Sequence, residues 1–224
     1  MIALPTPSPM PEERSDMVVP FVVDGVGRGG LVSSFRVAVA GVLRTVATQR
    51  NMKVHVLSGL MVMIVGMALP LHLSVRVSLL FSVSIVLFAE ILNTALEALI
   101  DLFVTDFHRL AMLAKDAAAG GVLVFAVTTV LVLADILITE WHVVEDNLEA
   151  VARSCLFGIP LVVVEAVGLF VVRHRAWHGV RLVVSGLLLA PLLLHSTDPI
   201  FAFVAILFVG IGAVARLHYM PRSA

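Results

Sequence analysis

The chain has 224 residues, of which 60% are hydrophobic and 14% are charged, and its mean hydropathy is +1.06. Soluble domains carry about a quarter of charged residues, so this composition excludes a soluble protein and predicts a polytopic membrane protein. The fold class that follows is all-α, because lipid offers backbone groups no partners outside a helix or a closed barrel. A net charge of −1, without a basic stretch interleaved with aromatic residues, excludes a nucleic-acid partner.

The first fifty residues precede the long apolar runs. Residues 1–30 begin with a stretch rich in proline, serine and acids, and they are predicted to be a disordered tail. Residues 31–52 have apolar side chains at helical spacing but are interrupted by Arg36, Arg44 and Arg50. A basic amphipathic helix of this kind is typical of one that lies along the membrane surface.

Six apolar runs follow and are predicted to be transmembrane helices. They cover residues 54–74, 77–103, 118–138, 153–172, 180–194 and 199–216. Lysine and arginine are concentrated before the first run, after the second, after the fourth and at the C-terminus. Those four regions fall on one side of a six-span protein, so both termini are predicted to be cytoplasmic. The opposite loops are mainly acidic, apart from one arginine near Leu73.

The second run carries a stripe of polar residues in an otherwise apolar helix. Glu90, Glu97 and Asp101 lie within about 40° of each other around the helix, and Asn93 lies about 60° to one side. Glu90 is about 20 Å along the helix from Val77, which places it in the inner leaflet, and Glu97 is about 10 Å nearer the cytoplasm. The stripe is therefore predicted to lead from lipid depth to cytoplasmic water.

These residue types fit phosphoryl transfer between the membrane and the cytosol. A carboxylate deprived of water is suited to take a proton from a hydroxyl group. A carboxylate at the water boundary suits Mg²⁺, which completes its shell with phosphates and water. Lys115 and Asp116 lie across the short cytoplasmic loop, just before the third run, where the lysine would meet a nucleotide phosphate. Two alternatives are that neighbouring cations pair with the acids, or that the acids form a proton path.

A resemblance favours the kinase interpretation. Residues 33 to about 138 resemble the prokaryotic diacylglycerol kinase and undecaprenol kinase family of small integral-membrane lipid kinases. The matching pieces are Ser34-Phe35-Arg36 with Gly41, Arg50-Asn51-Met52-Lys53-Val54-His55, Glu90-Ile91-Leu92-Asn93-Thr94-Ala95-Leu96-Glu97, Asp106-Phe107-His108 and Ala114-Lys115-Asp116.

The resemblance implies a membrane lipid kinase with ATP as co-substrate and Mg²⁺ as cofactor, acting on diacylglycerol or undecaprenol in the bacterial inner membrane. It implies a homotrimer with active sites shared between subunits, Glu90 as catalytic base and Glu97 as metal ligand. The residues that it places near nucleotide or acceptor are Asn93, Asp106, Phe107, His108, Lys115 and Asp116.

The sequence departs from the family pattern at one metal position. The family has a second metal-binding glutamate where this chain has Gln49, which supplies a carbonyl oxygen but no charge. We therefore predict a weaker magnesium requirement or low activity. The alternative is a catalytically weak or inactive relative that serves as a membrane scaffold or partner-binding module. A transporter is disfavoured, because no inverted repeat or pair of broken helices is visible.

The predicted organisation is a tail (1–30), a lipid-kinase-like domain with a surface helix and three spans (31–138), and three additional transmembrane helices of unknown role (139–224). Within the additional helices, His174 and His178 have the spacing of a metal pair. Their position among arginines and beside Trp177 favours an anchor at the membrane interface instead.

Overall fold

The computed structural model describes residues 30–171 and 175–219. The predicted tail and His174 therefore lie outside the described residues, apart from Gly30. The elements are α1 (Leu31–Thr48), α2 (Arg50–Ala68), α3 (Leu73–Phe103), α4 (Arg109–Thr139), α5 (Trp141–Asp146), α6 (Leu148–Phe170), α7 (Arg175–Leu194) and α8 (Pro199–Tyr219). The described residues contain helices and no strands, which confirms the all-α membrane bundle.

Seven of the helices in the described ranges are long and apolar enough to cross a membrane. Six of them, α2, α3, α4, α6, α7 and α8, correspond to the six predicted spans. The seventh is α1, and its predicted position on the membrane surface stays a prediction. The acidic segment between the third and fourth spans forms the short helix α5, where we expected only a loop.

The chain divides into two units, residues 1–39 and residues 40–224. The described part of the first unit consists of Gly30 and the beginning of α1, residues 31–39. The second unit contains the rest of α1, all the other helices and the hydrophobic core. Its most extensive helix pairings are α3 with α4 and α6 with α7, and α2 packs against α3, α6 and α8.

Helix α2 is the most deeply buried long helix of the second unit, with Met52, Leu60 and Met63 almost completely enclosed. Its glycines allow close approach of its neighbours. A Cβ atom on Gly59 would lie 2.8 Å from Phe208 of α8 and 2.8 Å from Val83 of α3. A Cβ atom on Gly66 would lie 2.7 Å from the ring of Phe201. Helix α8 thus packs directly against α2, the first predicted span of the kinase-like segment.

The end of α2 differs from the prediction. The run of apolar residues suggested a span to residue 74, but the helix ends at Ala68. Leu69 is extended, as expected for a residue before proline, and Pro70 has no N–H group to continue the helix. Thr197, in the loop before α8, donates hydrogen bonds from its hydroxyl to the carbonyls of Met67 (3.0 Å) and Leu69 (2.9 Å). The C-terminal carbonyls of α2 thus find partners in the additional helices.

A second tertiary contact lies at the same end of the bundle. Asp198 immediately precedes α8, and its Oδ1 accepts hydrogen bonds from the N–H groups of Ile200 (2.7 Å) and Phe201 (3.2 Å). Its Oδ2 accepts a hydrogen bond from Arg76, in the first turn of α3. The one arginine that departed from the loop charge pattern is therefore paired with an acid from the additional helices.

Candidate active site

The polar stripe lies on α3, which is continuous from Leu73 to Phe103. Its deepest two members face the interior: Glu90 is 2% exposed and Asn93 is 6% exposed. Leucine and alanine around them favour the helix and give it an apolar surface. The periodicity of the sequence therefore predicted correctly that these polar side chains share one face.

Glu90 has an open carboxylate oxygen. Its Oε2 is buried and has no hydrogen-bond partner among the described residues. The hydroxyl of Thr94, one turn further on, donates to the backbone carbonyl of Glu90 (2.9 Å) and not to the carboxylate. A buried acceptor without a donor is unusual in folded proteins. The arrangement leaves Glu90 able to receive a hydrogen bond from a hydroxyl group brought to it.

Asn93 and Glu97 form a pair on the same stripe. The Asn93 amide nitrogen donates a hydrogen bond to Glu97 Oε1 over 2.8 Å, while Asn93 Oδ1 is buried and has no partner among the described residues. Glu97 is half-buried, and its charge acts electrostatically on Glu90. The amide of Asn93 therefore fixes one oxygen of Glu97 and leaves the second oxygen of that carboxylate to other ligands.

Lys115 reaches back to α3. Its Nζ lies 2.5 Å from Asp101 Oδ1, across the loop between α3 and α4. The sequence placed Asp101 at the cytoplasmic end of the stripe and Lys115 at the start of the next helix, but it did not predict their pairing. The lysine thus lies at the end of the carboxylate stripe, and its phosphate-binding role stays a prediction.

The other predicted nucleotide or acceptor residues stay apart from the stripe within one chain. Asp106, Phe107 and His108 lie in the loop before α4 and are exposed, Phe107 by 83%. Asp116 is exposed on α4. Among the described residues, no hydrogen bond or ion pair joins these four to Glu90 or Glu97. Their assignment stays a prediction.

Gln49 occupies the break between α1 and α2. Its backbone is extended (φ −86°, ψ 127°), and its side chain is half-exposed and makes no capping hydrogen bond. Within the described residues it is not hydrogen-bonded to Glu97. The described residues also contain no group of three or more His, Cys, Asp or Glu side chains that could hold a metal. The assignment of Glu97 and Gln49 as ligands of Mg²⁺, an ion that takes one or two carboxylates alongside phosphates and water, stays a prediction.

Sequence reasoning missed a second buried polar group, in the additional helices. Glu165 on α6, Arg181 on α7 and Ser185 on α7 are 2%, 5% and 0% exposed. The available signal was a charged residue inside an apolar run, which is a functional hypothesis by default. His178, which we predicted to lie at the membrane interface beside Trp177, is 1% exposed, whereas Trp177 is 62% exposed. The depth of His178 in the membrane stays a prediction.

Comparison with known proteins now adds to this geometry. The family model for prokaryotic diacylglycerol kinase matches residues 36–137. The undecaprenol kinase of Bacillus subtilis is 36% identical over 99 residues, which cover 44% of this chain and 80% of that protein. The chain belongs to the prokaryotic diacylglycerol kinase family.

Two further members of the family are similar over a shorter part of their own length. The diacylglycerol kinase of Synechocystis sp. is 43% identical over 103 residues, which cover 46% of this chain and 59% of that protein. The diacylglycerol kinase of Escherichia coli is 33% identical over 72 residues, which cover 32% of this chain and 59% of that protein. No solved structure matches the chain. Helices α6, α7 and α8 lie beyond the segment that the family model matches.

Proposed function

We propose that this protein is an integral-membrane lipid kinase that transfers the γ-phosphoryl group of ATP to a lipid alcohol, either diacylglycerol or undecaprenol. The observation that carries the proposal is Glu90, a buried carboxylate with one oxygen that has no hydrogen-bond partner among the described residues. It shares a stripe with Glu97 in the segment that matches the family. The similar proteins include one named diacylglycerol kinase and one named undecaprenol kinase, and both names support transfer of a phosphoryl group to a lipid alcohol.

Glu90 acts as the general base in this proposal. The lipid hydroxyl donates its proton to the open Oε2 of Glu90 while its oxygen attacks the γ-phosphorus of ATP. A new phosphorus–oxygen bond forms to the lipid, the bond to the β-phosphate oxygen breaks, and ADP leaves. Burial of Glu90 keeps bulk water away, which favours the lipid hydroxyl over water as the acceptor.

The remaining residues hold the nucleotide. Glu97 would bind Mg²⁺ through the oxygen that Asn93 leaves open, and the bound ion would neutralise phosphate charge. Lys115 would exchange Asp101 for a nucleotide phosphate, and Asp116 with the exposed loop residues Asp106, Phe107 and His108 would complete the binding of nucleotide or acceptor.

We further propose that the protein works as a homotrimer with shared active sites. Two features support this: the loop residues do not meet the stripe within one chain, and α4 has Val122 as its single buried residue. A long apolar helix so little covered by its own chain has surface available for another copy as well as for lipid. Crosslinking of the purified protein that yields only monomers would contradict this assembly.

The proposed location is the bacterial inner membrane, with both termini cytoplasmic. This orientation puts the basic loops and the open end of the stripe on the side where ATP is found. Cys155 is the only cysteine, so a Cys155→Ser background permits single cysteines to be placed before α1 and after α8. An impermeant maleimide added to intact cells should label neither terminus; labelling of either one would contradict the orientation.

The second candidate function is a scaffold built on an inactive kinase core. Gln49 favours it, since the metal site would then lack a charge that the family resemblance implies. In that case the additional helices would carry the role of the protein through partner binding. Absence of Mg-ATP binding in an intact oligomer would favour the scaffold over the kinase.

The kinase proposal is tested by supplying γ-labelled ATP with dioctanoylglycerol or undecaprenol to the purified full chain. Glu90→Gln keeps the size of the side chain but removes the base, so transfer should fall about 10²- to 10⁴-fold while ATP binding persists. Glu149→Gln, at an exposed acid in the first turn of α6, is the matched control and should transfer like the parent. Parental transfer by Glu90→Gln would rule out the base assignment.

A further inference from the structure

The additional helices enclose a polar cluster, which consists of Glu165 on α6 and His178, Arg181 and Ser185 on α7. All four side chains are at least 95% buried. The Ser185 hydroxyl donates a hydrogen bond to Glu165 Oε1 over 2.6 Å. Arg181 Nη2 lies 3.4 Å from Glu165 Oε2, an ion pair too poorly aligned to be a hydrogen bond.

Much of the hydrogen-bonding capacity of this cluster is unused. Within the described part of the chain, Arg181 Nε, Nη1 and Nη2 have no hydrogen-bond partner, and neither ring nitrogen of His178 has one. Buried polar atoms in folded proteins almost always have partners, and an arginine offers donors in a fork that matches phosphate and carboxylate oxygens. The unused groups thus call for a ligand with several acceptor oxygens.

Two further cations lie near the cluster in the described part of the chain, Arg216 and Lys53. Arg216 of α8 donates a hydrogen bond from Nε to the carbonyl of Gly168 (3.3 Å) and interacts electrostatically with both His178 and Lys53. Lys53, at the start of α2, lies over the ring of Phe170 at the end of α6, with Nζ 5.7 Å from the ring centre. In the described part of the chain, Arg181 and Arg216 thus both approach α6 at Gly168, and cations gathered in this way favour an anionic ligand.

Two glycines make room for these side chains. A Cβ atom on Gly168 would collide with Arg181 Cδ, so the arginine rests directly on the backbone of α6. A Cβ atom on Gly212 of α8 would lie 3.4 Å from Glu165 Oε2 and 3.7 Å from Arg181 Nη2. Because these glycines have no side chain, the backbones of α6 and α8 lie directly against the Glu165–Arg181 pair and hold the guanidinium in place.

The cluster lies on the same side of the bundle as the kinase stripe. Helix α6 ends, α7 begins and α8 ends on the side where α2 begins and α3 ends, because successive long helices reverse direction. Glu165 is about 8 Å along α6 from its end at Phe170, and Arg181 is about 9 Å along α7 from its start. This depth is close to that of lipid headgroups rather than to the bilayer centre.

We propose that the cluster is a binding site for a phosphate monoester, held by Arg181 and His178 with Arg216 and Lys53 at its edge. The ligand is the phosphate of a phosphorylated lipid or free phosphate, since both present the same oxygens. The identification of such a lipid as the product of this enzyme rests on the proposed function. The existence of the phosphate site does not depend on that function. If the Glu165–Arg181 pair served only to stabilise the fold, we would expect the N–H groups of Arg181 to donate hydrogen bonds to acceptors within the protein.

The test is calorimetric titration of the full chain in lipid nanodiscs, in a Glu90→Gln background that prevents turnover. The probes are dioctanoyl phosphatidate, dioctanoylglycerol and inorganic phosphate. Phosphatidate should bind with an affinity that depends on the cluster. The affinity for dioctanoylglycerol should not depend on the cluster, because dioctanoylglycerol lacks the phosphate. Binding by phosphatidate alone identifies a lipid headgroup site, and equal binding by inorganic phosphate identifies a free-phosphate site.

Variants decide whether the cluster is responsible. Arg181→Gln should weaken binding at least about tenfold, and His178→Asn should weaken it several-fold while leaving the Glu165–Arg181 pair intact, which guards against misfolding. Arg153→Gln, near the opposite end of α6, is the control and should bind like the parent. Parental phosphatidate and phosphate binding by folded His178→Asn and Arg181→Gln would overturn the proposal. Binding needs no turnover, so a chain without transfer activity but with Arg181-dependent binding would refute the kinase and keep this site.

Discussion

Lys115 Nζ lies 2.5 Å from Asp101 Oδ1, so the start of α4 is tied to the end of α3 across the loop that carries Asp106, Phe107 and His108. The lysine that we assign to a nucleotide phosphate thus already has an anionic partner. A nucleotide would have to displace Asp101 from Lys115, so the interaction free energy of this pair is subtracted from the free energy of nucleotide binding. Both side chains are partly exposed, which limits that strength to about 0–1 kcal/mol.

Replacement of Asp101 separates two roles for this acid. If it only competes for Lys115, Asp101→Asn should lower the KM for ATP by up to about fivefold, equivalent to 1 kcal/mol, without changing the magnesium requirement. Lys115→Ala should raise the KM for ATP. The measurement is initial-rate kinetics at varied ATP and Mg²⁺. A higher magnesium requirement in Asp101→Asn would show that Asp101 helps Glu97 to hold the metal and does not merely compete for Lys115.

Gln49→Glu tests the position at which the family resemblance implies a second metal-binding glutamate. Gln49 lies at a break between helices, half-exposed and without a capping bond, so a glutamate fits there without repacking. The added charge should raise turnover and lower the Mg²⁺ concentration needed for half-maximal rate. Thr48→Glu, at the exposed neighbouring residue, serves as the control for added charge. Unchanged turnover and magnesium requirement in Gln49→Glu would show that our interpretation of this position is wrong.

Stability should depend on pH through Asp198. Burial acts to raise the pKa of this carboxyl, but hydrogen bonds from Arg76 and from the N–H groups of Ile200 and Phe201 prevail and lower the pKa below its ordinary value. A group with a depressed pKa stabilises the folded state above its unfolded value of about 4, and this contribution is lost as the pH falls through the lower folded value.

Asp198→Asn isolates this contribution. The variant should melt at a lower temperature than the parent at pH 7, since hydrogen bonds to a charged group contribute about 1.5–3 kcal/mol. The difference between the two proteins should begin to shrink below about pH 4, where the carboxyl of the unfolded parent becomes protonated, and should continue to fall until the folded carboxyl is protonated at lower pH. Scanning calorimetry in detergent between pH 3 and pH 7 measures it. A difference in melting temperature that stays constant over this range would contradict the role of the charge.

The close packing of α8 against α2 can be tested by a substitution at Gly66. A Cβ atom there would lie 2.7 Å from the fully buried ring of Phe201, so Gly66→Ala should cost about 1–3 kcal/mol by overpacking. Gly186→Ala on α7 meets nothing within 4 Å and should be neutral or gain up to about 1 kcal/mol, since alanine favours a helix. Equal thermal stability of the two variants would refute the close packing. Kinase assays on the same pair show whether the additional helices support catalysis.

The part of the candidate site that lies on the single helix α3 was predictable from the sequence. Glu90, Asn93 and Glu97 share a face because the period of the helix fixes their directions, and local geometry then allows the hydrogen bond between Asn93 and Glu97. The pair of Lys115 with Asp101 was not predictable, because it depends on the path of a loop. The end of α2 was placed too late because hydropathy continued past Pro70.

By itself, the sequence determined an all-α membrane protein, six of its spans and the polar stripe of a kinase family, because composition, helical period and motif spacing are local properties of the chain. Only the tertiary structure decided that Thr197 and Asp198 of the additional helices bind α2 and α3. It also decided that Glu165, His178, Arg181 and Ser185 meet in one buried cluster. The physical reason is that a polar residue in an apolar run must find a partner or a ligand, and which one it finds depends on how the helices are packed.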